Sequence, residues 1–383
     1  MPTITELNNP YNEDKAHDAC GLFGMMDLSG RRFGSRDPVR AMANMHNRGN
    51  GLGGGFAVYG LYPDHKNDYA FHIMYLNRES KGKTEVLLTE NFEVIAAEEM
   101  PTNPAANVRN PPVIWRYFLQ PKKDPKRLIS NDEYVVQNAI RINSETNGAY
   151  VFSGGKDMGV FKGVGFPEDV ADFFCLNQYE GYMWVCHSRF PTNTPGWWGG
   201  AHPFNILDWT VVHNGEISSY GINRRYLEMY GYRCTMQTDT EVMAYALDLL
   251  MRKQKLPIDV VARILAPPLW LEIDQMEFNE RRLCTALRQC YSSLLMNGPF
   301  TIIAAHNGEM IGLTDRIKLR PLTAATKGDM LFLSSEESAI QLIAPNLQKV
   351  WSPRGGEPVI GRLKKTVNVP ALEAEPALEA EVE

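Results

Sequence analysis

The chain has 383 residues, 44% of them hydrophobic and 22% charged, and a net charge of −6. That composition supplies a large apolar core for one large domain or two of ordinary size, and it offers no basic footprint for nucleic acid. No apolar run reaches the roughly 18 residues that span a membrane, and the polar opening segment lacks the basic start and apolar centre of a secretory signal, so a cytoplasmic protein with no membrane contact is expected.

Residues 1–19 are polar and without periodicity, and read as a detachable leader. At Cys20 the character changes, and CGLFGMM predicts a buried strand. Val39, Met42 and Met45, at three-residue spacing, predict a helix over 38–46. GLGGGFAVY at 51–59 predicts a second strand reached through glycines; it lacks the strand before it and the acidic residue after it that a dinucleotide fingerprint requires.

Residues 61–145 read as an insertion of unassigned role. Within it, YAFHIMYL and FEVIAAEEM are strand-like, 131–142 is helical, and the short basic run 121–127 (PKKDPKR), broken by prolines, is a solvated loop. Short strands joined by glycine turns follow over 147–165, then a helix over 167–176 and strands over 182–187 and 209–213. A helix over 240–253 carries Val242, Ala246, Leu249 and Leu250 on one face, with Asp239 or Thr240 at its start. Strands over 300–306 and 310–314 are joined by His306-Asn307-Gly308, whose Asn-Gly pair signals a hairpin. A strand over 330–334 and a helix over 335–343 close the domain, which is placed at 20–345. Residues 346–383 form a C-terminal extension, of which 369–383, with five glutamates, is acidic and expected to be disordered. Many strands mixed with helices predict an α+β sandwich rather than a doubly wound sheet.

The six cysteines, at 20, 175, 186, 234, 284 and 290, form no CxxC pair, and neither they nor His187, His202 and His213 match a common metal spacing. No metal and no disulfide framework are expected. Cys20 is either a buried structural thiol or a nucleophile. If the Ala19–Cys20 bond were cut, thiol and α-amine would share one residue, and an amine titrating near ~7.7–8.0 is a base suited to neutral pH. Arg189 follows a strand end and offers a guanidinium that can grip a carboxylate with two parallel bonds. Asn214 and Gly215 set a side-chain amide beside a glycine N–H, the makings of an oxyanion hole. Asp239 is a helix cap or a holder of a substrate ammonium.

Together CGLFG at 20–24, MHNRGNG at 45–51, HSRFPTNT at 187–194, HNGEI at 213–217 and TDTEV at 238–242 resemble, in order and spacing, the motif series of the class II glutamine amidotransferases, which are N-terminal nucleophile hydrolases. GLTDRIKLRPL at 312–322 and LSSEESA at 333–339 are similar to that family's closing strands, and SRFPTNTPGWWGGAHPF most resembles the amidotransferase part of glutamate synthases. The resemblance implies a four-layer αββα sandwich. It implies Cys20 as nucleophile with its own amine as base, Asn214 and Gly215 as oxyanion donors, and Arg189 and Asp239 as binders of the α-carboxylate and α-ammonium of L-glutamine. Thr192, in the Arg189 loop, would bind substrate too, and Arg48 would order the loop near the nucleophile.

The chain shows no cysteine cluster for iron–sulfur and no flavin domain. The resemblance therefore implies no cofactor here and a flavin-dependent synthase subunit as partner, carrying FMN and iron–sulfur and taking up the ammonia. An N-methylglutamate synthase subunit, an amidase for another amide and a non-catalytic glutamine-binding subunit are the competing readings. The Arg189–Asp239 pair, suited to a free amino acid, argues against the amidase.

Overall fold

Four strands whose side chains are buried on both faces lie at the centre of the molecule, and this explains their near-continuous apolar sequences. The structure, a computed structural model, describes residues 19–191, 196–236 and 238–364. In the first sheet Gly21–Asp27 lies between Met183–Ser188 and Met330–Ser334; Gly54–Tyr59 and Met158–Gly163 extend it on one side, Thr323–Lys327 and Lys349–Trp351 on the other. In the second sheet the order is Phe204–Ile206, Trp209–Gly215, Phe300–His306, Glu309–Thr314 and Val359–Arg362. All pairings in both are antiparallel.

The sheets stack with Gly21–Asp27 and Met183–Ser188 against Trp209–Gly215 and Phe300–His306. Side-chain alternation sorts each strand between two cores. On Phe300–His306, Ile303 and Ala305 point into the core shared by the sheets, whereas Phe300, Ile302 and Ala304 face the helices behind. Arg36–Asn44, Pro167–Phe173 and Glu337–Ile343 cover the outside of the first sheet. Asp239–Leu247, with Tyr220–Glu228 packed on it, covers the outside of the second. The result is the αββα sandwich that the motifs imply.

The predicted elements at 20–26, 38–46, 131–142 and 300–314 occur as Gly21–Asp27, Arg36–Asn44, Asn131–Glu145 and the hairpin Phe300–His306/Glu309–Thr314. Residues of the 61–145 segment and the strand after it form a four-stranded sheet, in the order Phe92–Glu99, Val113–Pro121, Tyr69–Tyr75, Ala149–Ser153. The helix Arg78–Asn91 has no clear sequence signal, because it buries only Ser80, Thr84 and Leu88; Asn77 caps it by accepting from the Ser80 N–H. The helices Ile258–Leu265, Trp270–Asp274 and Phe278–Cys290 were not among the predicted elements, although the first buries Ile258, Val261, Ala262 and Leu265 at helical spacing. The strands Lys349–Trp351 and Val359–Arg362, beyond residue 345, form one edge of each main sheet. Residues 1–18 of the leader and the acidic stretch 369–383 lie outside the described residues. Among the described residues no helix is long and apolar enough to cross a membrane.

Candidate active site

Strand register brings the first two site residues together. Gly21 pairs with Ser188, so Cys20 and Arg189–Phe190 are neighbours just beyond the end of one antiparallel ladder. The Phe190 N–H donates to Cys20 Sγ at 3.3 Å, and the Arg189 N–H donates to the Gly53 carbonyl at 2.8 Å. Arg48, on the turn His46–Arg48, donates through Nε to the Cys20 carbonyl at 3.0 Å and pairs with Glu336 at 2.9 Å. The nucleophile candidate is thus fixed through both its sulfur and its carbonyl.

The second sheet supplies the facing wall. Trp209–Gly215 ends at Asn214 and Gly215. Gly215 has φ +148°, and a Cβ there would lie 2.0 Å from the Pro299 carbonyl oxygen, so only glycine fits. Asn214 is buried, and its Nδ2 has no hydrogen-bond partner among the described residues. A buried donor left unmatched costs about 1–3 kcal/mol, and such atoms call for a functional explanation.

Asp239 opens the helix Asp239–Leu247, but the cap is Thr238, whose Oγ1 accepts from the Thr240 N–H at 3.3 Å. The Asp239 carboxylate is therefore available for another task. Its Oδ2 accepts from the Ile217 N–H at 3.0 Å, and Oδ1 lies 3.7 Å from His213 Nδ1. Burial pulls this carboxyl upward, yet the nearby His213 and the bonds from His213, Ile217 and Thr238 hold it below the ordinary carboxylate value. Burial likewise pushes the Cys20 thiol up, more than the Phe190 N–H and Arg189 bring it down; Asp239 adds to the rise and Arg48 opposes it. A thiol in that condition needs a base at hand to become a nucleophile.

Cys20, Arg189, Gly215 and Asp239 line one cavity of about 170 Å³. Asn214 is the residue next to Gly215, and Arg48 reaches Cys20 from outside the cavity. Thr192, the remaining expected site residue, lies outside the described residues. Ile217, Tyr220, His213, His202 and Thr240 also line the cavity and were unforeseen as site residues. His202 Nε2 and His213 Nδ1 both meet Thr240 Oγ1, at 2.8 and 3.1 Å, and His187 stacks on His202 with ring centroids 4.0 Å apart. Burial drives His187 down to about 3 and His202 well below its usual range, so both rings are neutral packing units at working pH. His213 and Thr240 adjoin Asn214 and Asp239 in the motifs themselves, which was the available signal. Among the described residues no group of three His, Cys, Asp or Glu side chains is arranged to hold a metal ion.

Comparison with known proteins adds to this geometry. Residues 61–237 match the family model of the glutamine amidotransferases class-II, a span that includes Arg189, Asn214 and Gly215 and begins after Cys20. The chain is 62% identical over 355 residues to a protein of Archaeoglobus fulgidus described only as uncharacterized, covering 92% of this chain and 94% of that one. It is 25% identical over 408 residues to the glutamate synthase (NADPH) large chain of Bacillus subtilis, covering 91% of this chain and 26% of that one, so it spans about a quarter of that relative's length. Among solved structures it is similar to the glutamine phosphoribosylpyrophosphate amidotransferase of B. subtilis, with a TM-score of 0.43 and 13% identity, covering 90% of this chain and 50% of that one.

Proposed function

Since this chain belongs to the class II glutamine amidotransferases, we propose that it hydrolyses the side-chain amide of L-glutamine to glutamate and ammonia through a thioester on Cys20. The observation that carries this reading is the single cavity in which a thiol, a guanidinium and a carboxylate meet, beside a buried amide donor that has no partner among the described residues.

In the proposed mechanism residues 1–19 are removed first, because the Cys20 nitrogen is otherwise an amide and no base. The freed amine accepts the thiol proton, and the thiolate attacks the amide carbon of glutamine. The Asn214 Nδ2 and the Gly215 N–H receive the oxyanion that forms. As the intermediate collapses, the C–N bond breaks, the ammonium of Cys20 returns its proton to the leaving nitrogen, and ammonia departs. Water, deprotonated by the same amine, then attacks the thioester, and its C–S bond breaks to give glutamate and the thiol. Arg189 grips the α-carboxylate, Asp239 holds the α-ammonium, and Thr192 binds substrate too. The distance from that end to Cys20 selects a side chain of glutamine length.

Free ammonia is mostly protonated at neutral pH and lost to solvent, so release beside an acceptor site is the useful arrangement. We place that acceptor on a flavin-dependent partner subunit of glutamate synthase type, in the cytoplasm, with FMN and iron–sulfur on the partner. The similarity to a glutamate synthase large chain over 91% of this chain supports this. The test joins intact mass to glutaminase activity on one sample, with and without a synthase subunit. Loss of residues 1–19, with activity abolished by Cys20→Ala, is the expected result. Turnover by a chain that retains its first 19 residues would refute the amine-as-base mechanism.

A further inference from the structure

Lys162 is among the largest fully buried side chains of the protein, and the chemistry above makes no use of it. It sits on the strand Met158–Gly163. Its Nζ donates to the carbonyls of Gly199 at 3.0 Å and Ala201 at 2.9 Å, and lies 4.4 Å from the centre of the Phe204 ring. Two carbonyl dipoles and an aromatic face thus engage the three N–H directions of an ammonium. Those carbonyls belong to the turn that packs on Arg189. A Cβ at Gly200 would lie 3.3 Å from Arg189 Nη1, so the turn passes close to the guanidinium with room there only for glycine-sized backbone.

Glu241 makes a matching arrangement on the Asp239 side. It is buried on the helix that Asp239 begins, and its carboxylate accepts from the N–H groups of Thr235 at 3.0 Å and Met236 at 2.9 Å and from the Tyr245 hydroxyl at 2.9 Å. It therefore ties the approach to the helix onto the helix's own first turn. Burial lowers Lys162 to about 7, against the opposing pull of Glu241, and raises Glu241 to about 7, against its hydrogen bonds and Lys162. Each charge thus acts on the other, and an ionisable group is rarely held so deep without a task.

We propose that Lys162 and Glu241 form a buried brace that fixes the separation of the Arg189 guanidinium and the Asp239 carboxylate, and thereby sets affinity for the amino-acid end of the substrate. Lys162 holds the Arg189 side through the turn at 199–201; Glu241 holds the Asp239 side. Both are positioning residues. The inference rests on the glutaminase reading given above.

The test uses the processed full-length chain and its Lys162→Met and Glu241→Gln variants, each nearly isosteric with the residue it replaces. The KM for glutamine rises about 10- to 100-fold in each, the scale of loss that a displacement near 1 Å causes, and kcat changes less than threefold. Alkylation of Cys20 by iodoacetamide, which needs neither Arg189 nor Asp239, keeps the wild-type rate. The double variant loses less than the product of the two single effects, because both act on one distance. An unchanged KM in either folded variant overturns the brace. So does a fall in kcat with slowed alkylation at constant KM, which marks a general packing role. If Lys162→Met does not fold, Glu241→Gln alone decides by the same criteria. A wild-type chain that alkylates at Cys20 but releases no glutamate contradicts the glutaminase reading instead, so the two failures are distinguishable.

Discussion

Asn214→Ala separates transition-state binding from everything else in the site. In the resting protein the Asn214 Nδ2 makes no hydrogen bond among the described residues, so truncation forfeits no ground-state contact through that atom. The change also relieves a buried unmatched donor, a gain on the order of 1–3 kcal/mol set against a small cavity. The two terms offset, and stability should stay within about 1 kcal/mol of wild type. In the proposed mechanism the amide donates only when the oxyanion forms, so kcat should fall about 100- to 1000-fold, equivalent to ~2.7–4 kcal/mol. Because the proposed holders of the amino-acid end, Arg189 and Asp239, are untouched, the KM for glutamine should change less than threefold. Steady-state glutamate release, read with thermal unfolding of the same preparations, makes the comparison. A fall in kcat of less than tenfold, or a clearly lowered melting temperature, would refute the argument by showing that the amide is a structural group.

Arg189→Lys keeps the charge but loses the two-pronged geometry, and should raise the KM for glutamine at least tenfold with a smaller change in kcat; substrate titration checks it. Arg48→Ala frees the Cys20 carbonyl and leaves Glu336 without its Arg48 bond, and should lower kcat by roughly 10- to 100-fold, since placement of the nucleophile is lost rather than substrate affinity; steady-state kinetics at saturating glutamine measure it. Lys162 has a folded value near 7 against an ordinary 10.5, so between those values the unfolded chain holds a proton the folded one lacks. Stability should therefore rise with pH across that window, by at most about 1.4 kcal/mol per pH unit from this group. Chemical denaturation at several pH values should find that contribution missing in Lys162→Met.

How much of this was legible beforehand differs from element to element. Gly21–Asp27 and Phe300–His306 are buried on both faces, so their apolar runs and the Asn307–Gly308 turn stand out in any reading. Arg78–Asn91 packs through Ser80, Thr84 and Leu88, too few and too polar to print a helical stripe. Val113–Pro121 carries Arg116 in a half-covered sheet, where a bond to Glu98 and contacts with two tyrosine hydroxyls accommodate the charge. Its polar residue masks a strand because the partners that satisfy it come from elsewhere in the chain. The site residues were readable as types, since each has a chemistry of its own. Their supports were not: Lys162 and Glu241 look like surface charges until the backbone groups that surround them are known.

The chemical inventory is readable along the chain. A cysteine opening a strand, an arginine after another, an Asn-Gly pair at a third and an aspartate at a helix start are local facts, written in residue identity and short spacing. That they share one cavity is set by the packing of the two sheets. Cys20 meets Phe190, 170 positions further along the chain, because their strands pair antiparallel with Gly21 opposite Ser188. That register follows from which apolar faces the two sheets bury against each other, and a one-residue slip would turn every side chain to the wrong face. The choice is made between distant segments, so neither segment carries it alone.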